Sequence, residues 1–189
     1  MKKIGFFGGS FNPVHQGHIR LADYLREHYS LPEVWLSLSP ENPLKNASHP
    51  GANDSQRLEM LRLACEPYPG LRAWDGELSM PRPSFTVNVL KRLRNEEFDP
   101  TLIIGADNWM NFNRWFKHEE ILSDYQIIVY PRPGYDLPAE SGHSNVSFAL
   151  AAPQTDVSST EIRNNIHQEL SRLPEPVANY IKLHKLYGY

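Results

Sequence analysis

Short, unbroken apolar runs recur along this chain with helix-patterned stretches between them, and that alternation restricts the fold more than any other feature. Residues 3–7 (KIGFF), 33–38 (EVWLSL), 101–105 (TLIIG), 126–130 (QIIVY) and 146–150 (VSFAL) read as buried strands, with 71–74 (LRAW) a weaker sixth. Their apolar content is continuous rather than alternating, which is the pattern of strands covered on both faces, and hence of a mostly parallel sheet between helices. Between them, residues 18–28 place Ile19, Ala22, Tyr24 and Leu25 near helical spacing. Residues 54–66 open on Asp54 as a candidate N-cap and repeat Leu58, Leu61 and Cys65 on one face. Residues 84–96 and 118–123 are further helices, and 160–170 and 174–186 follow the last strand. The expected architecture is a doubly wound α/β fold with a small C-terminal helical cap over about 158–189. Pro- and Gly-rich loops at 39–51 and 131–142 are each followed by further core strands, so all 189 residues read as a single domain.

Composition removes several functions. With 19 Lys plus Arg against 22 Asp plus Glu the net charge is −3, so no broad basic field exists to bind nucleic acid or an anionic membrane. A local anion site needs only a few donors and is not excluded. The single cysteine, Cys65, rules out an intrachain disulfide framework and a Cys-rich zinc site, and its helix phase places it in the core. The N-terminal apolar run covers only residues 4–7, and no stretch is long enough to span a bilayer. The expected location is the cytoplasm.

In an open α/β sheet, ligands bind beyond the carboxyl ends of the strands. There, between the first strand and the first helix, lies GGSFNPVHQGH, residues 8–18. Gly8 and Gly9 let the backbone approach a ligand, and the helix that follows offers free N–H groups to an anion. Neither the dinucleotide glycine pattern nor the P-loop fits this segment. Instead it carries His15 and His18, three apart, so that both imidazoles share a face. They could be metal ligands lacking an evident third partner, ordinary loop or capping residues, or donors to a phosphate; glycines, helix dipole and imidazoles together favour the phosphate. A second constellation, DVSSTEIR (residues 156–163), starts a late helix. Ser158 and Glu161 make a capping box, but that leaves Ser159, Thr160 and Arg163 unexplained. Hydroxyls, free N–H groups and a guanidinium make an anion site, and two such sites at one sheet edge suit a polyphosphate. A third segment, residues 103–116, brings Gly105 and Asp107 to the same edge and adds Trp109, Trp115 and Phe116 among asparagines, where an exposed ring could stack on a ligand.

GGSFNPVHQGH with the late SSTEIR resembles the nucleotidylyltransferase superfamily, with its HxGH loop and Rossmann-like fold. Within it, NPLK (42–45), PSFTVNVL (83–90), LIIGADNW, RWF, RPG (132–134) and LPEPVANYI resemble the bacterial nicotinate-nucleotide adenylyltransferases over nearly the whole length. The resemblance implies a transferase that moves the AMP moiety of ATP onto nicotinate mononucleotide, giving deamido-NAD and pyrophosphate, with Mg²⁺ carried mainly on the ATP phosphates. It assigns His15, His18 and Arg163 to catalysis. Gly8, Gly9, Ser10, Phe11, Gly105, Asp107, Ser158, Ser159 and Thr160 join those three in binding ATP. Asn42, Lys45, Phe85, Thr86, Val87, Trp115, Phe116 and Arg132 are assigned to the mononucleotide. The pyridine ring would stack on Trp115, and backbone N–H groups around Val87 and Phe116 would hold the ring carboxylate. Leu44, Phe85 and Asn12 stand where the family commonly has His, Tyr and Asp. The alternatives are the same transfer to nicotinamide mononucleotide or phosphopantetheine, or an ATP-binding sensor without catalysis. A homo-oligomeric state is left open.

Overall fold

The computed structural model describes residues 1–40 and 51–189. Six strands, β1 (Lys2–Gly9), β2 (Val34–Leu38), β3 (Leu71–Trp74), β4 (Phe98–Gly105), β5 (Ile127–Tyr130) and β6 (Val146–Phe148), form one sheet in the order β3-β2-β1-β4-β5-β6. Every neighbouring pair is parallel. The helices are α1 (Gln16–His28), α2 (Asp54–Cys65), α3 (Thr86–Asn95), α4 (Ala106–Met110), α5 (His118–Asp124), α6 (Ser159–Asn164), α7 (Ile166–Glu169) and α8 (Glu175–His184). The doubly wound α/β expectation holds, including the C-terminal helices. Strand order reverses between β1 and β4, which opens a crevice at their carboxyl ends where the loops diverge.

The sheet separates two cores, and alternate side chains of each strand supply them. Phe7, Leu36, Ile103 and Ile128 face one side with Ile19 and Leu25 of α1, Leu61 of α2 and Ile181 of α8. Ile4, Phe6, Leu102, Ile104 and Val129 face the other with Leu90 and Leu93 of α3 and Ile121 of α5. Each fully buried aliphatic side chain of this kind contributes about 1.5–3 kcal/mol relative to an exposed one. Burial on both faces explains why the strands read as continuous apolar runs: all five residues of β2 and all four of β5 are buried.

Local chemistry moves several predicted boundaries. Asn53, not Asp54, caps α2, accepting from the Gln56 N–H at 2.9 Å while Gln56 Oε1 accepts from the Asn53 N–H at 3.0 Å. Asp54 instead pairs with Arg57. Helix α3 begins at Thr86 rather than at residue 84, because Phe85 is extended (φ −69°, ψ 137°). On α1, Leu21 takes the core position expected of Tyr24, which lies at the edge of the apolar face and stacks on His28. The helix expected over 160–170 is broken at Asn165 (φ −135°, ψ 42°), which ends α6 and starts α7. Cys65 is buried, and burial pushes its thiol up to about 12, leaving no thiolate for chemistry. Among the described residues no helix is long and apolar enough to cross a membrane.

Candidate active site

The β1–α1 loop and the start of α6 meet at the sheet's carboxyl edge. His15 is the N-cap of α1 and His18 its third residue. Their rings stack 3.6 Å apart at 25°, as sharing one helical face requires. The His15 N–H donates to His18 Nδ1 at 3.2 Å, which fixes the neutral His18 ring with its proton on Nε2. His15 is 3% exposed and its Nδ1 is buried with no partner among the described residues. Burial, reinforced by the Arg132 guanidinium, pulls the His15 imidazole down to about 4. Burial, then His15 and Arg132, holds His18 well below its ordinary value. Two neutral imidazoles, one with an orphaned buried nitrogen, are poised for an anion: a polyphosphate would supply both the acceptors and the negative charge that favours protonation.

The second anion motif is joined to the first by hydrogen bonds. Arg163 Nη1 donates to the Asn12 carbonyl at 2.6 Å and Nη2 to Thr160 Oγ1 at 3.1 Å, while Ser159 Oγ donates to the Pro13 carbonyl at 2.9 Å. Asn12 is further held by Tyr187, whose hydroxyl donates to Asn12 Oδ1 at 2.7 Å. Ser158 accepts the Glu161 N–H at 3.1 Å, which is the forward half of the expected capping box. Because α6 spans only Ser159–Asn164, this side has less helix dipole than the sequence promised, and its donors are side chains.

Backbone space is controlled by two glycines. A Cβ at Gly9 would lie 3.0 Å from the Phe11 ring, and one at Gly105 would lie 2.4 Å from Asp107 Oδ1 and 3.0 Å from Arg132 Cγ. Phe11 itself is buried, with its ring edge-on to His18 at 5.1 Å, so it backs the histidine and only its backbone can face a ligand. Asp107 is paired with Arg132, Nε to Oδ1 at 3.3 Å. Arg132, expected beside the mononucleotide, therefore stands at the histidine and Asp107 end of the crevice.

A cleft of about 180 Å³ continues from Gly8 and Gly105 across the switch point, lined by Thr86, Asn108, Trp115 and Tyr130 among others. Trp115 packs on Phe112 with ring centroids 5.4 Å apart. The solvent-facing ring of its segment is Phe116, 47% exposed, which lies 4.6 Å from the half-exposed Phe85. Trp109, in contrast, is packed between Phe112 and Phe148. The N–H groups of Thr86 and Val87 open α3 and have no intrahelical acceptor, and the Phe116 N–H donates to no described residue. Asn42 and Lys45 lie outside the described residues.

Three residues of the site went unnoticed in the sequence. Glu77, in a 3₁₀ turn (Gly76–Ser79), lines the cleft with only 5% exposure. Ser84 lines it as well. Arg57, 1% exposed, donates through Nη1 to the carbonyls of Ser10 and Ser39, so a buried guanidinium ties the β1–α1 loop to the end of β2. The one available signal was helical phase, since Arg57 lies one turn before Leu61 on the face of α2 that also carries Cys65.

A family model described as cytidylyltransferase-like matches residues 6–165. A protein of Bacteroides fragilis named "Probable nicotinate-nucleotide adenylyltransferase" is 47% identical over 163 residues, covering 85% of this chain and 80% of its own. A protein of the same name from Bacteroides thetaiotaomicron is 43% identical, covering 88% and 83%. Among solved structures, a Plasmodium falciparum nicotinic acid mononucleotide adenylyltransferase complexed with NaAD superposes with a TM-score of 0.79 over 100% of this chain and 98% of its own, at 16% identity, a likeness of fold. The chain belongs to the nicotinate-nucleotide adenylyltransferase family, within the cytidylyltransferase-like group.

Proposed function

We propose that this protein transfers the adenylyl group of ATP to nicotinate mononucleotide, releasing pyrophosphate and forming nicotinate adenine dinucleotide for NAD biosynthesis in the cytoplasm. The observation that carries this reading is the composition of one crevice. At one end stand stacked imidazoles, His15 with a buried Nδ1 that has no partner among the described residues, beside Arg163 and Thr160. At the other, Trp115 stands beside the N–H groups of Thr86, Val87 and Phe116, which have no acceptor among the described residues. The first suits a polyphosphate, the second a flat ring bearing a carboxylate.

The chemistry is an in-line displacement. A phosphate oxygen of the mononucleotide forms a bond to the α-phosphorus as the bond from that phosphorus to the α–β bridging oxygen breaks, and the electron pair leaves on pyrophosphate. The attacking oxygen is already anionic, so no general base is needed. His18, through Nε2–H, and His15 stabilise charge developing on the phosphates, with Arg163 and the hydroxyls of Ser158 and Thr160 on the opposite side and Ser159 holding the loop through the Pro13 carbonyl. Holding two substrates in line supplies on the order of 7–11 kcal/mol in well-oriented systems. Among the described residues no group of three or more His, Cys, Asp and Glu could hold a metal, and Asp107 is taken by Arg132. That donor set fits a Mg²⁺ carried by phosphate oxygens and water, whose chemistry when bound is neutralisation of phosphate charge.

The test is pyrophosphate release from ATP and Mg²⁺ with nicotinate mononucleotide, nicotinamide mononucleotide or phosphopantetheine as acceptor. Strong preference for the nicotinate form is expected. Turnover with another acceptor alone overturns the assignment of the acceptor pocket, and no turnover with any overturns the enzymatic reading in favour of an ATP-binding sensor.

A further inference from the structure

The geometry points to Glu77 as the positioning residue of the acceptor pocket, holding Ser84 and through it the first turn of α3, whose Thr86 and Val87 N–H groups face the substrate's carboxylate on the reading proposed above. Glu77 is a buried carboxyl that makes no ion pair among the described residues. Hydroxyls satisfy it instead. Ser37 Oγ, at the end of β2, donates to Oε1 at 2.8 Å, and Ser84 Oγ donates to Oε2 at 3.0 Å. The Ser39 side chain adds a third bond. One carboxyl thus clamps the end of β2 to the turn that launches α3, while itself lining the cleft with Thr86 and Trp115.

A carboxyl in such a place needs a reason, because burial penalises its charged form and pushes its pKa up against the pull of the three serines. Anchoring the 3₁₀ turn does not require it. Arg92 on α3 already holds that turn, donating through Nη1 to the Gly76 carbonyl at 2.8 Å and to Ser79 Oγ at 3.0 Å. What Glu77 adds is a fixed position for Ser84, two residues before the first free N–H of α3. A carboxylate bound by N–H groups is sensitive to their aim, since such bonds weaken steeply as the angle bends. The ATP end relies on other ties, through Arg57, Arg163 and Asn12, so loss of Glu77 is expected to leave it intact.

The test is steady-state kinetics on Glu77→Gln, Ser84→Ala and the double variant. Wild-type turnover with nicotinate mononucleotide is measured first. If it is absent, the acceptor assignment falls, and the variants are read with whichever acceptor the wild type uses. Each single variant is expected to raise KM for the mononucleotide about tenfold, the scale of one hydrogen bond to a charged group, with kcat and the KM for ATP changed less than about threefold. The double variant is expected to add little to the larger single effect, because both substitutions act on the Glu77–Ser84 bond. An unchanged mononucleotide KM, an equal rise in both KM values, or a double variant that multiplies the single effects overturns the proposal. Ser84→Ala alone carries the test if Glu77→Gln does not fold.

Discussion

The two ends of the crevice are built differently. The end proposed to bind the phosphates is compact: His15 and His18 stack on one helix turn, and Arg163 and Ser159 bond to the backbone of the loop that carries them. The end proposed for the acceptor is assembled from β2, a 3₁₀ turn, α3 and the segment after α4, and its rim is open, with Phe85 and Phe116 40% and 47% exposed. Rigid placement of fixed donors is what stabilising a transferring phosphoryl group demands. A pocket that admits and releases a second substrate tolerates an exposed rim. Substitutions at the phosphate end are therefore expected to lower kcat, and those at the acceptor end to raise KM.

The largest effect expected is at His18. On the proposed mechanism His18→Ala removes a donor to the reacting phosphates and should lower turnover by at least about two orders of magnitude, the usual cost of one oxyanion donor. Rapid-quench or pyrophosphate assays would measure it, and activity within about threefold of wild type would take His18 out of the mechanism.

The same end should govern stability against pH in the ligand-free protein. Unfolded His15 takes a proton near 6.5, whereas folded His15 resists until about 4. Between those values the unfolded state holds more protons, so stability rises with pH and is lost as pH falls from about 6.5 towards 4. His15 alone accounts for about 2 kcal/mol between pH 7 and pH 5. Urea titrations at the two pH values measure the loss, and His15→Gln should flatten that part of the dependence; an unaltered slope would mean the imidazole is not desolvated.

This contrast also explains what could be read in advance. The phosphate end is written in contiguous residues, from Gly8 to His18, and in a second short motif, and the sheet is written in apolar runs long enough to be recognised. The acceptor end is not contiguous. Glu77 in GELS and Arg57 in DSQRLE look like ordinary surface charges, and only the packing of β2 against the Gly76–Ser79 turn and α2 turns them inward. Phe11 differs in the opposite sense: its place in the loop suggested a ligand contact, while its ring turns into the core, with Gly9, lacking a Cβ, leaving room for it. The break at Asn165 has no proline or glycine to mark it in the sequence. The helix before it, α6, is tied to the first loop through Ser159 and Arg163.

At the acceptor end, Trp115→Ala should raise KM for the mononucleotide about tenfold, within the range of one aromatic stack on a base, and leave the KM for ATP unaltered. Equal effects on both substrates would show that Trp115 only supports Phe112.

The smallest effect is expected at Phe116, and it separates ring from backbone. Phe116→Ala deletes the exposed ring and its contact with Phe85 but keeps the N–H, so KM for the mononucleotide should rise no more than about threefold. Phe116→Pro deletes the N–H as well. Trp115 has φ −72° and ψ 142°, the extended geometry favoured before proline, so this change is compatible with the backbone that precedes it. A rise in KM several times larger for Pro than for Ala, with nicotinate but not nicotinamide mononucleotide, would locate recognition of the carboxylate in the main chain. Equal effects of the two substitutions would locate it in the aromatic rim, and the acceptor end would then be an apolar slot with no built preference for an acid.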